Sequence, residues 1–262
     1  MTEITPRSGE GDPTVALVHG AFADSSSWNE VIQQLQAAGV EVVAVSNPLR
    51  GITADSAYVA SALRQIPGPV VAVGHSYGGA VISNAATNAP NVVGLVYVAA
   101  FAPDEGEVLL EVEGTSRDSV LNTALVPREY PTGEGDATAV EFGIDPAKFH
   151  DVFAADLPPE LSAIMAVTQR PASGLAFAEP SGKPAWKNLP SWAVVGVGDK
   201  AAGADVVRSM AERAGATITE VEGSHVIMIS QPRAVTDVVL QAVSAVAGFA
   251  RKMEPGTFTS AH

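Results

Sequence analysis

The run Val70-Val71-Ala72-Val73-Gly74-His75-Ser76-Tyr77-Gly78-Gly79-Ala80-Val81-Ile82 limits the fold more than any other stretch of the chain. Its four apolar residues predict a buried strand. The Gly-His-Ser-Tyr-Gly knot predicts a sharp turn, and the small residues behind it predict a helix. A serine at the centre of such a unit is forced into a strained backbone conformation, and the glycines beside it keep neighbouring Cβ atoms away. Ser76 Oγ is then expected at the carboxyl end of a sheet, over a helix N-terminus whose free N–H groups suit a developing negative charge. G-x-S-x-G matches by chance often, and the bland alternative is a glycine-rich β–α turn with a solvated serine. The strand before it, with Gly79 and the helix behind it, favours the nucleophile.

The rest of the chain supplies a sheet to hold this turn. Thr14-Val15-Ala16-Leu17-Val18 predicts a buried strand running into the loop His19-Gly20-Ala21-Phe22. Helical spacing follows from Trp28 to Ala38, with Ser25–Ser27 as cap candidates and Gly39 as the stop. Strands are expected over 40–45, 92–99, 191–197 and 216–221, and helices over 53–66, 205–214 and 232–246. Strands alternating with helices imply a parallel sheet covered by helices. The fold class is therefore α/β, with about six mostly parallel strands. Between strands four and five the rhythm breaks. Residues 104–189 contain short helical pieces, many prolines and the aromatics Phe142, Phe149, Phe153, Phe177 and Trp186. That is too long for a connecting loop, and a mainly helical cap over the site is expected there. The core is then 1–103 together with 190–262. Residues 1–13 are expected to form a loose polar arm, and those after Arg251 a frayed tail.

A serine hydroxyl needs a histidine base, itself oriented by a carboxylate. Of the five histidines, His262 is terminal, His150 lies in the cap, His75 points away from Ser76, and His19 is expected to support the loop after strand one. His225, after the last strand, remains as the base. Asp199 comes directly off strand five and completes the chain order Ser, Asp, His. Its competitor is Asp104, after strand four, whereas Asp205, inside a helix, reads as a solvated surface residue. The oxyanion is expected to meet the N–H of Tyr77 and a second N–H from the loop after strand one, that of Phe22 or, shifted by one, of Ala21. Ala21, Trp28 and Phe101 are candidates for the substrate pocket, with core packing the alternative for Trp28. No His/Asp/Glu cluster has metal-ligand spacing and no glycine-rich loop fits a nucleotide, so neither a metal nor a cofactor is expected.

With these residues in place the chain resembles the α/β-hydrolase superfamily over about residues 14–248. It is most similar to the small, capped branch of plant methylesterases, hydroxynitrile lyases and bacterial esterases. His19-Gly20-Ala21-Phe22 with Trp28, Gly74 to Gly79, Asp199, and Ser224-His225-Val226-Ile227-Met228-Ile229-Ser230-Gln231-Pro232 carry the likeness. Hydroxynitrile lyases of that branch place Thr after the strand-end histidine and Lys after the catalytic one. Gly20 and Val226 stand there here, which disfavours cyanohydrin cleavage. Ser76 excludes the Asp-nucleophile members of the superfamily. The resemblance implies a carboxylic-ester hydrolase acting on small to medium substrates through an acyl-enzyme. Lactone hydrolysis, cofactor-free perhydrolysis, or ligand sensing on a retained site are the alternatives.

Composition narrows the partners. A formal charge of −14 argues against nucleic acid and anionic membrane surfaces. The absence of cysteine excludes disulfides, thiolate metal sites and a thiol nucleophile. No leader pattern and no membrane-length apolar run is visible, so a cytoplasmic location with a small-molecule ester or lactone as partner is expected.

Overall fold

A computed structural model describes residues 11–253. The strands are β1 (Thr14–Val18), β2 (Val42–Val45), β3 (Val70–His75), β4 (Val92–Val98), β5 (Leu125–Pro131), β6 (Thr138–Ile144), β7 (Ala172–Ser173), β8 (Ser191–Gly196) and β9 (Thr217–Val221). Six of them form one sheet in the order β2-β1-β3-β4-β8-β9, with every neighbouring pair parallel. The inner strands β3 and β8 are buried along their whole length, which is why they read as apolar runs. At the edge, β2 leaves two of its four residues exposed.

The helices are α1 (Asn29–Ala37), α2 (Ile52–Arg64), α3 (Tyr77–Ala85), α4 (Leu109–Glu113), α5 (Pro146–Phe153), α6 (Pro159–Thr168), α7 (Leu175–Ala178), α8 (Ala204–Arg213), α9 (Ile227–Ser230) and α10 (Pro232–Met253). α10 lies against β3, β4 and β8 beside α1, while α2 and α3 pack as a second pair. The first helical turn is capped by Asp24, one residue ahead of the serines expected to do so: its Oδ1 accepts from Ser26 N at 2.8 Å. Gly39 ends that unit with φ +80°, as its sequence position predicted. Of the polar arm and tail expected at the termini, residues 1–10 and 254–262 lie outside the described residues.

Between β4 and β8 the insertion carries the expected helical pieces, α4 to α7, and also a three-stranded antiparallel sheet, β5-β6-β7, that no apolar run announces. Its hairpin pairs Leu125 with Ile144 and Pro131 with Thr138, and β5 is half-buried or exposed throughout. A strand with two prolines and three charged or polar side chains in seven gives no continuous hydrophobic signal.

Candidate active site

β3 delivers Ser76 as the residue before α3, with φ +53° and ψ −124°. A left-handed φ at a non-glycine residue persists only where surrounding contacts dictate it. Here they do: Ser76 N donates to Val98 O at 3.2 Å, and Ser76 O accepts from Gly79 N at 3.0 Å and Phe101 N at 3.2 Å. The glycines of the turn are needed for clearance. A Cβ on Gly74 would meet Gly78 O at 2.5 Å, and one on Gly78 would meet Val18 O at 2.5 Å.

His225 and Asp199 are in contact, with His225 Nδ1 2.8 Å from Asp199 Oδ2 and both residues 1% exposed. Asp199 Oδ1 accepts from Ala201 N at 2.9 Å and Ala202 N at 3.0 Å, which fixes the carboxylate and presents Oδ2 to the ring. With Nδ1 committed, Nε2 is the nitrogen left for other partners. His225 and Ser76 line one cavity of about 310 Å³. The competitor Asp104 is elsewhere, in an ion pair with Lys187 that holds its carboxyl below the usual range. Asp205 is not the free surface residue its helical position predicted: it accepts from Arg117 N at 2.9 Å and from Ser116 Oγ, both in the insertion.

The loop after β1 closes on Ser76. A Cβ on Gly20 would stand 2.7 Å from Ser76 Cβ and 2.8 Å from His75 O, so this position has room only for glycine. Phe22 follows with φ +60°. Tyr77 is the first residue of α3, where a backbone N–H has no intrahelical acceptor. Among the described residues, neither the Phe22 nor the Tyr77 amide has a hydrogen-bond partner.

His19 supports this loop, as expected. Its Nδ1 donates to Gly20 O at 2.9 Å, and its Nε2 accepts from Asn47 N at 3.0 Å, with Arg170 Nη1 at 3.3 Å. Burial holds the His19 pKa below that of an ordinary imidazole. His75 is the residue whose part sequence reasoning missed. Its ring lies 4.7 Å from the His225 ring, centroid to centroid, and its Nε2 donates to His225 O at 3.0 Å. Burial pushes its pKa well down, so it is neutral and packs against His225.

Ala21 and Phe101 line the cavity as expected, whereas Trp28 does not. Trp28 is fully buried and meets the His75 ring edge-on at 6.3 Å, so it belongs to the packing behind the histidines. The remaining wall comes mostly from the insertion, including Leu109, Leu125, Phe142, Phe153 and Phe177. Phe153 packs edge-on against His225 at 4.9 Å, and Phe22 stacks on Phe177 at 6.1 Å. Among the described residues no group of three His, Cys, Asp or Glu side chains could hold a metal ion, and no helix is long and apolar enough to cross a membrane.

Comparison with known proteins adds the following. The sequence profile described as "Alpha/beta hydrolase family" matches residues 15–238. A carbendazim hydrolyzing esterase of Nocardioides sp. (strain SG-4G) is 31% identical over 128 residues, covering 44% of this chain. That match spans about half, 48%, of the relative's own length. Among solved structures, polyneuridine aldehyde esterase superposes with a TM-score of 0.73 at 22% identity, over 88% of this chain and 98% of that one. Tomato methylketone synthase I gives 0.74 at 18%, over 90% and 99%. A pyrethroid hydrolase from Sphingobium faniae JZ-2 gives 0.71 at 20%, over 90% and 99%. At these identities the superpositions speak for the fold.

Proposed function

The chain belongs to the alpha/beta hydrolase family, and from that premise we propose that it is a serine hydrolase that cleaves small to medium carboxylic esters through an acyl-enzyme at Ser76. Ser76 Oγ attacks the ester carbonyl carbon while His225 Nε2 takes its proton. Asp199 holds the ring in the tautomer with Nδ1 protonated and stabilises the imidazolium that forms. The oxygen that gains charge is met by the N–H groups of Phe22 and Tyr77, which are free of other partners and fixed in place beforehand. Collapse breaks the bond to the alcohol, which leaves with the proton from His225. Water then enters and attacks the acyl carbon while His225 removes its proton; the bond from the acyl carbon to Ser76 Oγ breaks, His225 returns the proton to that oxygen, and the acid leaves. A lactone ring opens by the same steps.

The observation that carries this reading is the buried His225–Asp199 contact beside a strained serine on the wall of one cavity. The cavity's volume suits a small to medium substrate. Relatives named as esterases and as a pyrethroid hydrolase support the ester class. The crowding at Gly20 supports hydrolysis over cyanohydrin cleavage, because no threonine fits against Ser76 without moving the loop.

The test combines a panel of short-chain esters and lactones with fluorophosphonate labelling. Continuous turnover of p-nitrophenyl acetate, label on Ser76, and loss of both in Ser76→Ala are expected. A single slow modification without turnover would instead favour ligand sensing, and label on another residue would sink the reading.

A further inference from the structure

Apart from Ser76 and His225, the cavity wall is apolar at every side chain but two, Glu113 and Asn122. Glu113 ends α4 and is 7% exposed. Its Oε1 contacts Ser119 Oγ, its Oε2 accepts from Asn122 Nδ2, and among the described residues it joins no ion pair. Both neighbours are neutral. Ser119 has a single hydroxyl proton, and Ala201 O lies 2.7 Å from the same Oγ, so the serine cannot serve both acceptors at once. A carboxylate offers about four acceptor positions, and one removed from water with so few donors is poorly compensated. Asn122 gives one of its two amide N–H groups to Glu113 and retains the other together with the acceptor Oδ1. Against that one remaining N–H stand the unfilled lone pairs of the Glu113 carboxylate and Asn122 Oδ1, so acceptors outnumber donors at this end of the wall.

We propose that Glu113 and Asn122 form a subsite selecting esters whose acyl or alcohol portion carries a hydrogen-bond donor, a protonated amine or a hydroxyl, away from the reacting carbonyl. The proposal rests on the reading of the cavity as an ester site. The donor supplies the hydrogen bonds the carboxylate lacks, while the apolar wall accepts the chain between donor and carbonyl. An ester carrying a second carboxylate meets a like charge and is rejected.

The test uses methyl esters of equal chain length ending in ammonium, hydroxyl, methyl or carboxylate. Their binding to the Ser76→Ala protein is measured by calorimetry, which needs no turnover. The ammonium and hydroxyl esters are expected to bind roughly ten- to a hundredfold more tightly than the methyl-ended one, as for a hydrogen bond to a charged group. The carboxylate-ended ester is expected to bind most weakly. Glu113→Gln in the same background keeps the shape and removes the charge, and should cut the ammonium preference about tenfold. Equal or tighter binding of the methyl-ended ester overturns the subsite, as does a preference undiminished in Glu113→Gln. If that variant does not fold, the ranking in Ser76→Ala alone decides. Turnover of the same esters by the unaltered protein is read separately, so failure of ester cleavage and failure of the subsite are distinguishable.

Discussion

At the scale of single residues, the site depends on groups that have only one way to sit. Asp199 uses one oxygen for the Ala201 and Ala202 amides and the other for His225. Asp199→Asn can keep Oδ1 on those amides, but it then points an NH₂ group at Nδ1 and forces the ring into the wrong tautomer. We expect kcat/KM for p-nitrophenyl acetate to fall by about 10⁴ with the melting temperature little changed. A fall under tenfold would remove Asp199 from the mechanism. Gly20 gives the second case. An alanine Cβ there collides with Ser76 Cβ and with His75 O, and the loop bearing the Phe22 amide must move to admit it. Gly20→Ala should therefore lower kcat about 10²-fold, the effect of misplacing one oxyanion donor, and a crystal structure should find residues 20–22 displaced. The turn at Ser76 was legible because it ends a strand that the apolar pattern delimits, and the contact between His225 and Asp199 could be expected because few other histidines and carboxylates follow a predicted core strand. The partnership of His75 with His225 was not legible, because its acceptor is a carbonyl 150 residues away.

At the scale of elements, the four inner strands β1, β3, β4 and β8 could be read as apolar runs because a strand buried on both faces has few polar positions to confuse its limits, while the edge strands β2 and β9 followed from the alternation with helices. The insertion could not be read in the same way. Leu125–Pro131 and Thr138–Ile144 are held by pairing to each other, and their side chains are largely half-buried or exposed. Asp205 illustrates the limit best. From sequence it sits in the first turn of α8, where an acidic residue needs no further explanation. In the fold its carboxylate accepts from Arg117 N and Ser116 Oγ, its amide N donates to Asp118 Oδ2 at 3.0 Å, and Val120 N donates to Lys200 O at 2.9 Å. Residues 116–120 are thereby fastened to the loop that carries Asp199 and to the start of α8. Asp205→Ala should cost about 1–2 kcal/mol, or roughly 2–8 °C in melting temperature, since the carboxylate is partly solvated. It should also raise KM more than it lowers kcat, because Leu121 and Asn122 follow on the cavity wall. An unchanged KM would mean that the insertion holds its place without this contact.

At the scale of the whole molecule, the buried histidines make stability depend on pH. His19 and His75 sit beneath the site with pKa values depressed by burial, His75 strongly. In the unfolded chain each takes up a proton near the ordinary imidazole value of about 6.5, whereas the folded chain resists until the pH is lower. Below pH ~6.5 the unfolded state therefore binds more protons, and stability falls with falling pH. The limit is about 1.4 kcal/mol per pH unit for each histidine, and above pH ~7 the contribution is complete. Carboxylates held below their usual range, such as Glu107 beside Arg213, add a loss of the same sign only nearer pH 4, while Asp55, pushed up by burial, works in the opposite direction, so a loss between pH 6.5 and 5 is assigned to the histidines. Melting temperatures between pH 7.5 and 5 should accordingly drop once the pH passes below about 6.5. His75→Gln, which retains a side-chain N–H donor for His225 O but cannot titrate, should melt lower at neutral pH and lose less per pH unit. Parallel slopes in the two proteins would mean that the imidazole behind the base reaches water when it protonates, and that the packing of Trp28, His75 and Phe153 opens more easily than its burial implies.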